Sequence, residues 1–467
     1  MGSYDSDLGG QLQLTRCTGR IGEVTGGMDN SLIISGSNLT VGNVFFNEMA
    51  STVSITSSTV ILGGVSTPGD QSSVFIGGSS VISSGGFEAL FASNVIIDNS
   101  SVIVGGLANE TFNSLMSIEN SAVTVNGDVA NNGLFGASGS LTVSGDFSNG
   151  SSDGNPGLAG IDGPFIVKGT LNNMDGARLF IDGPSNIHAV QNDGIMTAGG
   201  VMIVNRGGFS NQMNGSLTLS GVTNVRGGFT NSGGTVILNP SAILTSDRYS
   251  QSGGSTDVSG TLSTASYKQS GGDTVIESGG TISATTFKAT GGTVTVNGTL
   301  DPTAVEMGSG ATLQGTGKIV GNVSMGGTML PGGPGAPGTV TIFGNYEQTG
   351  NGILRELISS TSSGLLNVSG DVALDSDSIL SITLIGGFNP LGDTFTIIDY
   401  ASLVGQFSNG SSFWDDGFLW DVNYGANQID ISAVRSPEPS ALLLLCIGVA
   451  VLALIAQRKT AETHLLA

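Results

Sequence analysis

Charge is the scarcest property of this 467-residue chain, and basic residues are the rarest charges. Charged residues make up 11% of the sequence, with 14 Lys plus Arg against 36 Asp plus Glu, for a formal net charge of −22. A globular enzyme of this size normally carries about 25% charged residues. Nucleic-acid binding needs clustered basic residues that replace counterions. The composition therefore argues against nucleic acid as a partner.

Cysteine is also nearly absent. Cys17 and Cys446 are the two in the chain, and the second lies inside an apolar run. We expect no disulfide from this pair, and no zinc-binding spacing exists. The first ten residues contain neither a basic region nor an apolar core, so no signal peptide is visible, and we expect an export leader to precede the chain.

Glycine (76 residues) and alternating Val, Ile and Thr take the place of charge. An apolar residue followed closely by a glycine turn recurs at gaps of 20, 20, 18, 20 and 18 residues. The positions are Phe209, Phe229, Tyr249, Tyr267, Phe287 and Val305. The ladder continues more loosely upstream at Val129, Phe147, Leu171 and Val190, and downstream at Val323 and Tyr346. A period of about 20 residues built from short strands predicts a solenoid in which each coil covers its neighbour.

Residues 26–127 contain clear short strands, such as Ser31–Ser35 and Ser101–Val104, but we find no regular spacing among them. Two longer gaps in the ladder contain loop-like insertions, at 151–157 and 329–338. Residues 344–434 have longer strands and more aromatic residues, which predicts a β-rich unit capping the last coil. We divide the chain into an N-terminal segment 1–25, β-helix repeats 26–343, the capping unit 344–434 and a tail 435–467.

The stretch from Gly308-Ser-Gly-Ala-Thr-Leu-Gln-Gly-Thr-Gly through Gly344-Asn-Tyr-Glu-Gln-Thr to Trp420-Asp-Val-Asn-Tyr resembles the passenger regions of bacterial autotransporters. The close resemblance covers about 130 residues, and the upstream coils resemble the same regions only in their general sequence pattern. It implies a right-handed parallel β-helix on an exported protein. The chain departs from true autotransporters because no run of alternating strands that could build an outer-membrane barrel follows Val434.

The tail contains Ser436-Pro-Glu-Pro, then 441–456 without a charge, then Gln457-Arg-Lys. Sixteen uncharged residues are at the lower limit for crossing a bilayer, and the basic pair after them predicts a cytoplasmic C-terminus. We therefore expect one C-terminal transmembrane helix at 441–456. The complete fold prediction is all-β: a right-handed parallel β-helix (solenoid) with a β-rich C-terminal cap and this single helix.

The order Pro-Glu-Pro, short apolar helix and basic pair resembles the PEP-CTERM sorting signal of Gram-negative bacteria. The resemblance implies recognition by exosortase, a membrane-embedded cysteine protease that cleaves at or near the motif. Carried over by position, Pro437, Glu438 and Pro439 form the recognition triplet, and Arg458 and Lys459 are the stop-transfer charges. Members of the family often end soon after several arginines, whereas here a tail follows the two basic residues.

β-Helix scaffolds also carry polysaccharide lyases and glycoside hydrolases, whose chemistry needs clustered Asp/Glu, or Asp with Lys/Arg, on neighbouring coils. The ladder from Phe209 to Val323 contains only single acids, and His188 is expected to be a surface turn residue without a catalytic partner. Paired carboxylates facing out from adjacent coils around 95–190 would favour this alternative. We predict no catalytic, cofactor-binding or metal-binding residues.

The C-terminal acids Asp371, Asp375, Asp377, Asp415 and Asp416 match no calcium loop, and we expect solvated turn residues. Asn-x-Ser/Thr triplets recur, and composition alone produces several, so glycosylation stays open. The triplets begin at Asn38, Asn99, Asn109, Asn149, Asn214, Asn297, Asn322, Asn367 and Asn409.

These features predict a non-enzymatic protein of the cell envelope or surface of a Gram-negative bacterium, sorted by exosortase and acting in adhesion or biofilm. The expected partners are the processing protease, extracellular polysaccharide or like molecules, and the membrane through 441–456. The alternative is a carbohydrate-active β-helix enzyme. A third possibility is a self-associating matrix fibre.

Overall fold

The computed structural model describes residues 4–46, 50–67, 71–89, 93–111, 113–150, 156–434, 449 and 451–453. Apart from the helical residues 449 and 451–453, the regular elements of this part of the chain are β-strands. In the first coils the strands are β1 Tyr4–Leu8, β2 Gln11–Thr15, β3 Thr18–Ile21, β4 Val24–Met28, β5 Ser31–Ser35, β6 Asn38–Phe46, β7 Thr52–Thr56, β8 Thr59–Thr67, β9 Ser73–Gly77, β10 Ser80–Ser83, β11 Gly86–Ala89, β12 Asn94–Asp98, β13 Ser101–Val104, β14 Gly106–Asn109, β15 Leu115–Glu119 and β16 Ala122–Val125.

The middle coils contain β17 Val129–Asn131, β18 Leu134–Ala137, β19 Ser140–Val143, β20 Phe147–Asn149, β21 Leu158–Ile161, β22 Phe165–Asn173, β23 Arg178–Ile181, β24 Ser185–Asn192, β25 Ile195–Ala198, β26 Met202–Asn211, β27 Ser216–Leu219, β28 Val222–Leu238, β29 Ile243–Val258, β30 Thr261–Gln269, β31 Asp273–Ile276, β32 Thr281–Val296 and β33 Thr299–Gly315. The last region contains β34 Lys318–Val320, β35 Asn322–Met325, β36 Thr328–Gly333, β37 Ala336–Pro337, β38 Thr339–Phe343, β39 Tyr346–Gln348, β40 Ile353–Ile358, β41 Leu365–Val368, β42 Asp371–Leu374, β43 Ile379–Leu384, β44 Thr394–Asp399, β45 Ser402–Gly405, β46 Ser412–Asp415, β47 Phe418–Tyr424 and β48 Gln428–Val434.

The strands wind into a parallel solenoid with three faces, which confirms the all-β, parallel-solenoid part of the fold prediction. Each strand pairs in parallel with the strand one turn later. We call the column that begins with β2 and β5 the first face, the column of β3 and β6 the second face, and the column of β1 and β4 the third face. The same three columns continue through the middle of the chain, where single long strands such as β28 and β29 turn corners and belong to more than one face. Apolar side chains of all three faces meet inside in one continuous core. The right-handed sense of the coil stays a prediction.

The first coils have the strictest repeat of the chain, so the expectation of irregular spacing there was wrong. Inward residues of the first face recur every 21 residues at Leu32, Val53, Val74, Val95 and Met116, all in register. The same period places a turn residue with positive φ between the first and second faces at Gly36, Ser57, Gly78, Asn99 and Asn120. Each of these φ values lies between 47° and 56°. The left-handed conformation explains why small residues or Asn occupy the turn.

A column of buried serines follows that turn at the same 21-residue period. Its members are Ser37, Ser58, Ser79, Ser100 and Ser121. The backbone N–H of one serine donates to the hydroxyl of the next, as from Ser58 to Ser79 at 3.2 Å. Each hydroxyl in turn donates to a backbone carbonyl of its own coil, as Ser79 does to the Gly77 oxygen at 2.9 Å. Cys17 occupies the equivalent place one coil earlier, where its N–H donates to the Ser37 hydroxyl.

The aromatic ladder predicted from the sequence forms the buried centre of the third face. Its predicted members pair in register from Val129 to Tyr346, which confirms the ladder position by position. The rings of Phe229 and Tyr249 stack with centroids 4.9 Å apart and planes 6° apart. Phe209 and Phe287 extend the stack at its two ends. Such contacts add about 0.5–1.5 kcal/mol per pair beyond simple burial.

A second buried column, of asparagines, lies two residues after the ladder position in each coil. Its members are Asn109, Asn131, Asn149, Asn173, Asn192, Asn211 and Asn231. The Nδ2 of each donates to the Oδ1 of the next, at distances from 2.7 to 3.1 Å. Gln251 and Gln269 continue the column, and Ala289, Met307 and Met325 replace it with apolar side chains further on. The core of the middle coils is therefore polar on one side, with its donors paired along the axis.

Parallel coiling continues into the predicted capping unit as far as β45, which pairs with β42. Strand β44 pairs in parallel with β41 on one side and antiparallel with β48 on the other, and β46 and β47 complete an antiparallel sheet with β48. Side chains from this unit cover the last edge of the first face. Asp415 accepts the N–H of Ile382 at 2.7 Å, Asp416 accepts the N–H of Leu384, and Asn409 both accepts from and donates to Leu380.

The two predicted insertions differ in what the structure describes. Residues 151–155 of the first lie outside the described part of the chain. The second contains the short antiparallel pair β36–β37, in which Gly332 faces Pro337. Among the described residues, no helix is both long and apolar enough to cross a membrane. The predicted membrane segment 441–456 lies outside those residues except for 449 and 451–453.

The asparagine column predicts that an apolar substitution lowers stability more in a coil with a column asparagine than in a later coil where the equivalent residue is already apolar. Asn173→Leu removes the donor to Asn192 Oδ1 and leaves that buried acceptor without its partner, which costs about 1–3 kcal/mol. Met307→Leu, at the equivalent position of a later coil, conserves volume and polarity and costs less than about 1.5 kcal/mol. Hydrogen exchange of the backbone amides in the flanking coils measures the loss of stability in each of the two variants. Equal effects of the two changes would refute a structural role of the column.

Because Asp415 caps the edge of β43, we predict that changing it alters the local stability of that strand. Asp415→Ala removes the acceptor of the Ile382 N–H, and the lost charge-assisted bond lowers the free energy of local opening by about 1.5–3 kcal/mol. Asp415→Asn keeps a carbonyl acceptor of similar shape and is the matched control with a smaller loss. Amide exchange at Ile382 reports the difference, and unchanged exchange in the alanine variant would contradict the capping role.

Candidate functional site

None of the site residues predicted from the sequence can be placed. Pro437, Glu438, Pro439, Arg458 and Lys459 all lie outside the residues that the structure describes. The sorting signal therefore stays a prediction. The outer surface of the solenoid is the place where a ligand or partner of the coils would bind.

A shallow groove on this surface, which we call the hydroxyl trough, lies where the second face turns toward the third. It crosses successive coils with residues 245–247, 263–265, 283–285, 301–303, 320–321 and 343. Its volume is about 800 Å³. At a rung spacing of about 4.8 Å, six successive rungs give a length of about 24 Å. A groove this long and shallow fits a linear chain better than a compact small molecule.

Hydroxyl groups dominate the walls of the trough. Thr245, Ser263 and Ser283 are in register on consecutive coils, and Asp301 takes the same position on the next coil. One residue further on, the buried Ser246 hydroxyl has no hydrogen-bond partner among the described residues. Because that hydroxyl is enclosed, a chain lying in the trough contacts the outward side chains such as Thr245 and not Ser246.

The charge and the apolar end of the trough restrict the class of ligand. Asp247 and Asp301 are the ionisable residues of its lining, and both are exposed. An anionic ligand would be repelled, because no basic residue lines the groove to compensate. At one end, Val320 and Phe343 are in register, and Phe343 is 49% exposed. Hydroxyls, acceptor carboxylates and an exposed ring together provide complementary contacts for a neutral sugar chain.

Two further grooves lie elsewhere on the coils. One follows the corner turn of the first coils, with a volume of about 690 Å³ and a lining that includes Ser57, Gly78, Asn99 and Asn120. The other, of about 560 Å³, lies on the third face and includes Glu306, Glu347 and Asp371. Glu306 forms an ion pair with Lys288. Within the described residues, no group of three or more His, Cys, Asp or Glu is placed to hold a metal ion.

Carboxylates do face out from adjacent coils in the region 95–190. Asp98 and Glu119 are in register on neighbouring coils of the first face. Asn99 Nδ2 donates to Asp98 at 2.9 Å, and the Ser117 hydroxyl donates to Glu119 at 3.0 Å. Their pairing is the feature that the enzyme alternative requires.

A second stacked pair, Asp128 and Asp146, has a structural role. Asp128 accepts the backbone N–H of Asp146 at 2.8 Å, and Asp146 accepts the N–H of Thr170 at 2.7 Å. These carboxylates support a turn by accepting backbone donors of the next coil.

The C-terminal acids only partly match the expectation of solvated turn residues. Asp415 and Asp416 cap the edge of β43, so the solvated interpretation was wrong for them. Asp371 accepts from the Ser402 hydroxyl at 2.6 Å, and Asp375 accepts the Gly350 N–H at 3.3 Å. Sequence reasoning missed the caps because Asp415 and Ile382 are far apart in the chain.

The asparagines of the Asn-x-Ser/Thr triplets differ in how deeply they are buried. Asn109 and Asn149 are fully buried members of the asparagine column, so a glycan cannot be attached there without opening the core. Asn38, Asn99 and Asn297 are exposed. His188 is exposed within β24, beside a register irregularity at a corner, rather than in a loop between strands.

A buried carboxyl that sequence reasoning missed lies near the C-terminal end of the coil. Glu356 in β40 is fully buried, and neither carboxyl oxygen has a hydrogen-bond partner among the described residues. Burial raises the pKa of Glu356 well above its usual value. The carboxyl lies against Gly364, where a Cβ atom would collide with it, and near the buried Tyr346, whose pKa is raised by burial and by Glu356.

Comparison with known proteins adds no assignment to these surfaces. No family model matches the chain, and no curated protein matches it. The residues themselves are therefore the basis for a function.

The buried Glu356 predicts a pH-dependent stability. Because its folded pKa lies above the unfolded value, its contribution to stability falls as pH rises from about 4.5 toward the folded pKa. Glu356→Gln removes this loss, so the variant gains stability over the wild type as pH rises, by up to about 1.4 kcal/mol per pH unit. Denaturant unfolding at about pH 5 and about pH 8 measures it.

Glu347→Gln is the matched control, since Glu347 is exposed on the neighbouring strand β39. It should leave the pH dependence close to that of the wild type. Parallel stability profiles for the wild type and Glu356→Gln would show that this carboxyl is solvated in solution.

Proposed function

We propose that the chain is a non-enzymatic surface protein that binds neutral polysaccharide along its solenoid and acts in adhesion or biofilm. The observation that carries the proposal is the hydroxyl trough, with its registered Thr245, Ser263, Ser283 and Asp301. Each rung offers one or two weak contacts, and a polymer that spans several rungs adds them together. The groove is open and lies on rigid strands, which suits retention of a chain rather than enclosure of a reacting group.

The sorting part of the proposal rests on the tail sequence. Pro437-Glu438-Pro439, the apolar run 441–456 and Arg458-Lys459 support exosortase processing and a location at the Gram-negative envelope or surface. An apolar run of this length with a basic pair after it supports a membrane helix before processing.

The sorting proposal predicts the mass of the protein recovered from its native envelope. Intact mass spectrometry should find a C-terminus at or near Pro437–Pro439. A protein that retains residues 441–467 would contradict exosortase processing and leave the coil's binding role to be tested separately.

The trough predicts binding to neutral but not anionic polysaccharides. Asp301→Ala and Phe343→Ala should each weaken binding to a neutral chain by about tenfold, because each removes a hydrogen-bond acceptor or a stacking ring from the groove. Asp273→Ala removes the same charge from the first face, outside the trough, and should leave affinity unchanged. Binding of soluble dextran and galactomannan, with alginate as the anionic comparator, measures the effect. Equal losses in all three variants would refute the assignment.

One observation favours a second candidate, a carbohydrate-active enzyme. Asp98 and Glu119 present two carboxylates on adjacent coils, the arrangement that acid–base cleavage of a glycosidic bond requires. Chain shortening of a polysaccharide that disappears in Glu119→Gln and persists in Asp301→Ala would establish this candidate. Intact polymer after prolonged incubation with the wild type leaves the non-enzymatic function.

A further inference from the structure

A row of basic residues follows one corner of the middle coils. Its members lie where the second face turns toward the third, one on each of five successive coils, and we call the row the basic ridge. They are Lys168, His188, Arg206, Arg226 and Arg248. The ridge contains four of the 14 Lys plus Arg residues of the chain. Over residues 156–250 the one other Lys or Arg is Arg178, on the first face.

Strand pairing on both sides of the corner keeps these residues in line. The last buried residues of the second face are in register from Val167 to Val225, and the ladder residues of the third face are in register from Leu171 to Tyr249. At a rung spacing of about 4.8 Å, five rungs make a row about 19 Å long. Sequence reasoning missed the row because each coil contributes a single charge to it.

The basic side chains of the ridge are available to a ligand. All five residues are exposed. Among the described residues none of them forms an ion pair, whereas Lys288 on a later coil is paired with Glu306. Glycine directly follows three of the five in the chain. A Cβ atom on Gly208, two residues after Arg206, would lie 2.7 Å from the Gly228 carbonyl oxygen, so this tight corner excludes other long side chains.

The surroundings of the ridge suit a sugar chain better than the bases of a nucleic acid. On the second face Asn186 and Asn224 are exposed beside it, and on the third face Thr230 and Ser250 are exposed. Their amides and hydroxyls can both donate to and accept from sugar hydroxyls. The exposed aromatic ring of these coils, Phe180, is on the first face. Bases would therefore find no ring to stack on beside the ridge.

We propose that the basic ridge binds a linear acidic polysaccharide that has one carboxylate on each sugar residue. Charge spacing selects this class of ligand. The ridge has about one cation per rung of about 4.8 Å, whereas duplex DNA has one negative charge per about 1.7 Å of its axis. A duplex would therefore bring about three charges for each cation, and a protein with a net charge of −22 repels the excess. In a uronate chain, with one charge per sugar, the charges are spread more thinly along the polymer.

The ridge leads directly into the hydroxyl trough along the same corner. Asp247, the one carboxylate in this corner on the ridge coils, lines the trough, and Arg248 follows it. The ridge goes beyond the proposed function, because an acidic chain bound there does not enter the trough. Asp301→Ala and Phe343→Ala should therefore leave the affinity for alginate unchanged while they weaken the binding of dextran. Each of the two sites can fail without the other.

Titration of the full chain in neutral detergent with soluble alginate tests the ridge. The wild type should bind alginate at low salt and lose affinity as salt rises, because exposed ionic contacts are screened. Arg206→Gln with Arg226→Gln should weaken binding about tenfold, since two exposed ionic contacts are lost. Arg206→Lys with Arg226→Lys keeps both charges and should bind like the wild type. Arg20→Gln with Arg178→Gln removes the same charge from exposed positions outside the ridge and should leave the affinity unchanged.

The controls decide between a site and a general effect of charge. Equal losses of alginate binding in the two glutamine pairs would refute the ridge, and so would a wild type that does not bind alginate at low salt. Duplex DNA that binds more tightly than alginate at the same salt concentration, with the same dependence on the two ridge arginines, would overturn the assignment to an acidic polysaccharide.

Discussion

Parallel hydrogen bonding between successive coils is the constraint on which the rest of this structure depends. Each coil must present its backbone to two neighbours about 4.8 Å away, so every inward side chain rests on the side chain at the same position one turn later. The register survives gaps of different length: Phe147 pairs with Leu171 across an insertion, as Phe229 does with Tyr249 across a regular coil. The residues inserted between the described coils lie mostly at corners; an exception is the single extra residue inside the first face, where β36 pairs with β33.

Stacking of equivalent positions explains why polar columns can exist inside the core. An amide has a donor and an acceptor, so one asparagine above another satisfies both along the axis. The column begins at Asn109, whose buried Oδ1 has no partner among the described residues, and it passes to Gln251 where the ladder residue becomes tyrosine. There, Thr256 links the Tyr249 hydroxyl to the glutamine oxygen, with contacts of 2.6 Å each. A slip of one residue would leave every one of these groups unpaired, so the columns help to specify the register.

The aromatic ladder could be predicted because large side chains at a fixed period are rare in this composition. The stricter 21-residue repeat of the first coils was missed because its markers, Val, Ile and Ser, are common everywhere in the chain. Its signal was nevertheless present: Val95, Ile97, Ser100 and Val102 repeat the pattern of Val74, Ile76, Ser79 and Val81. Glu356 and the caps at Asp415 and Asp416 could not be found, because their environments are formed by residues distant in sequence. The trough also depends on corner geometry, which periodicity does not encode.

A surface built from repeated rungs binds a polymer through many weak contacts of the same type. No single rung of the hydroxyl trough offers more than a hydroxyl or a carboxylate, so affinity must grow with the number of rungs that a chain covers. A polymer held on one rung meets the next rung as an intramolecular event, at an effective concentration set by the spacing of the rungs. The stiff solenoid keeps that spacing fixed, which raises avidity without requiring stronger contacts at any one rung.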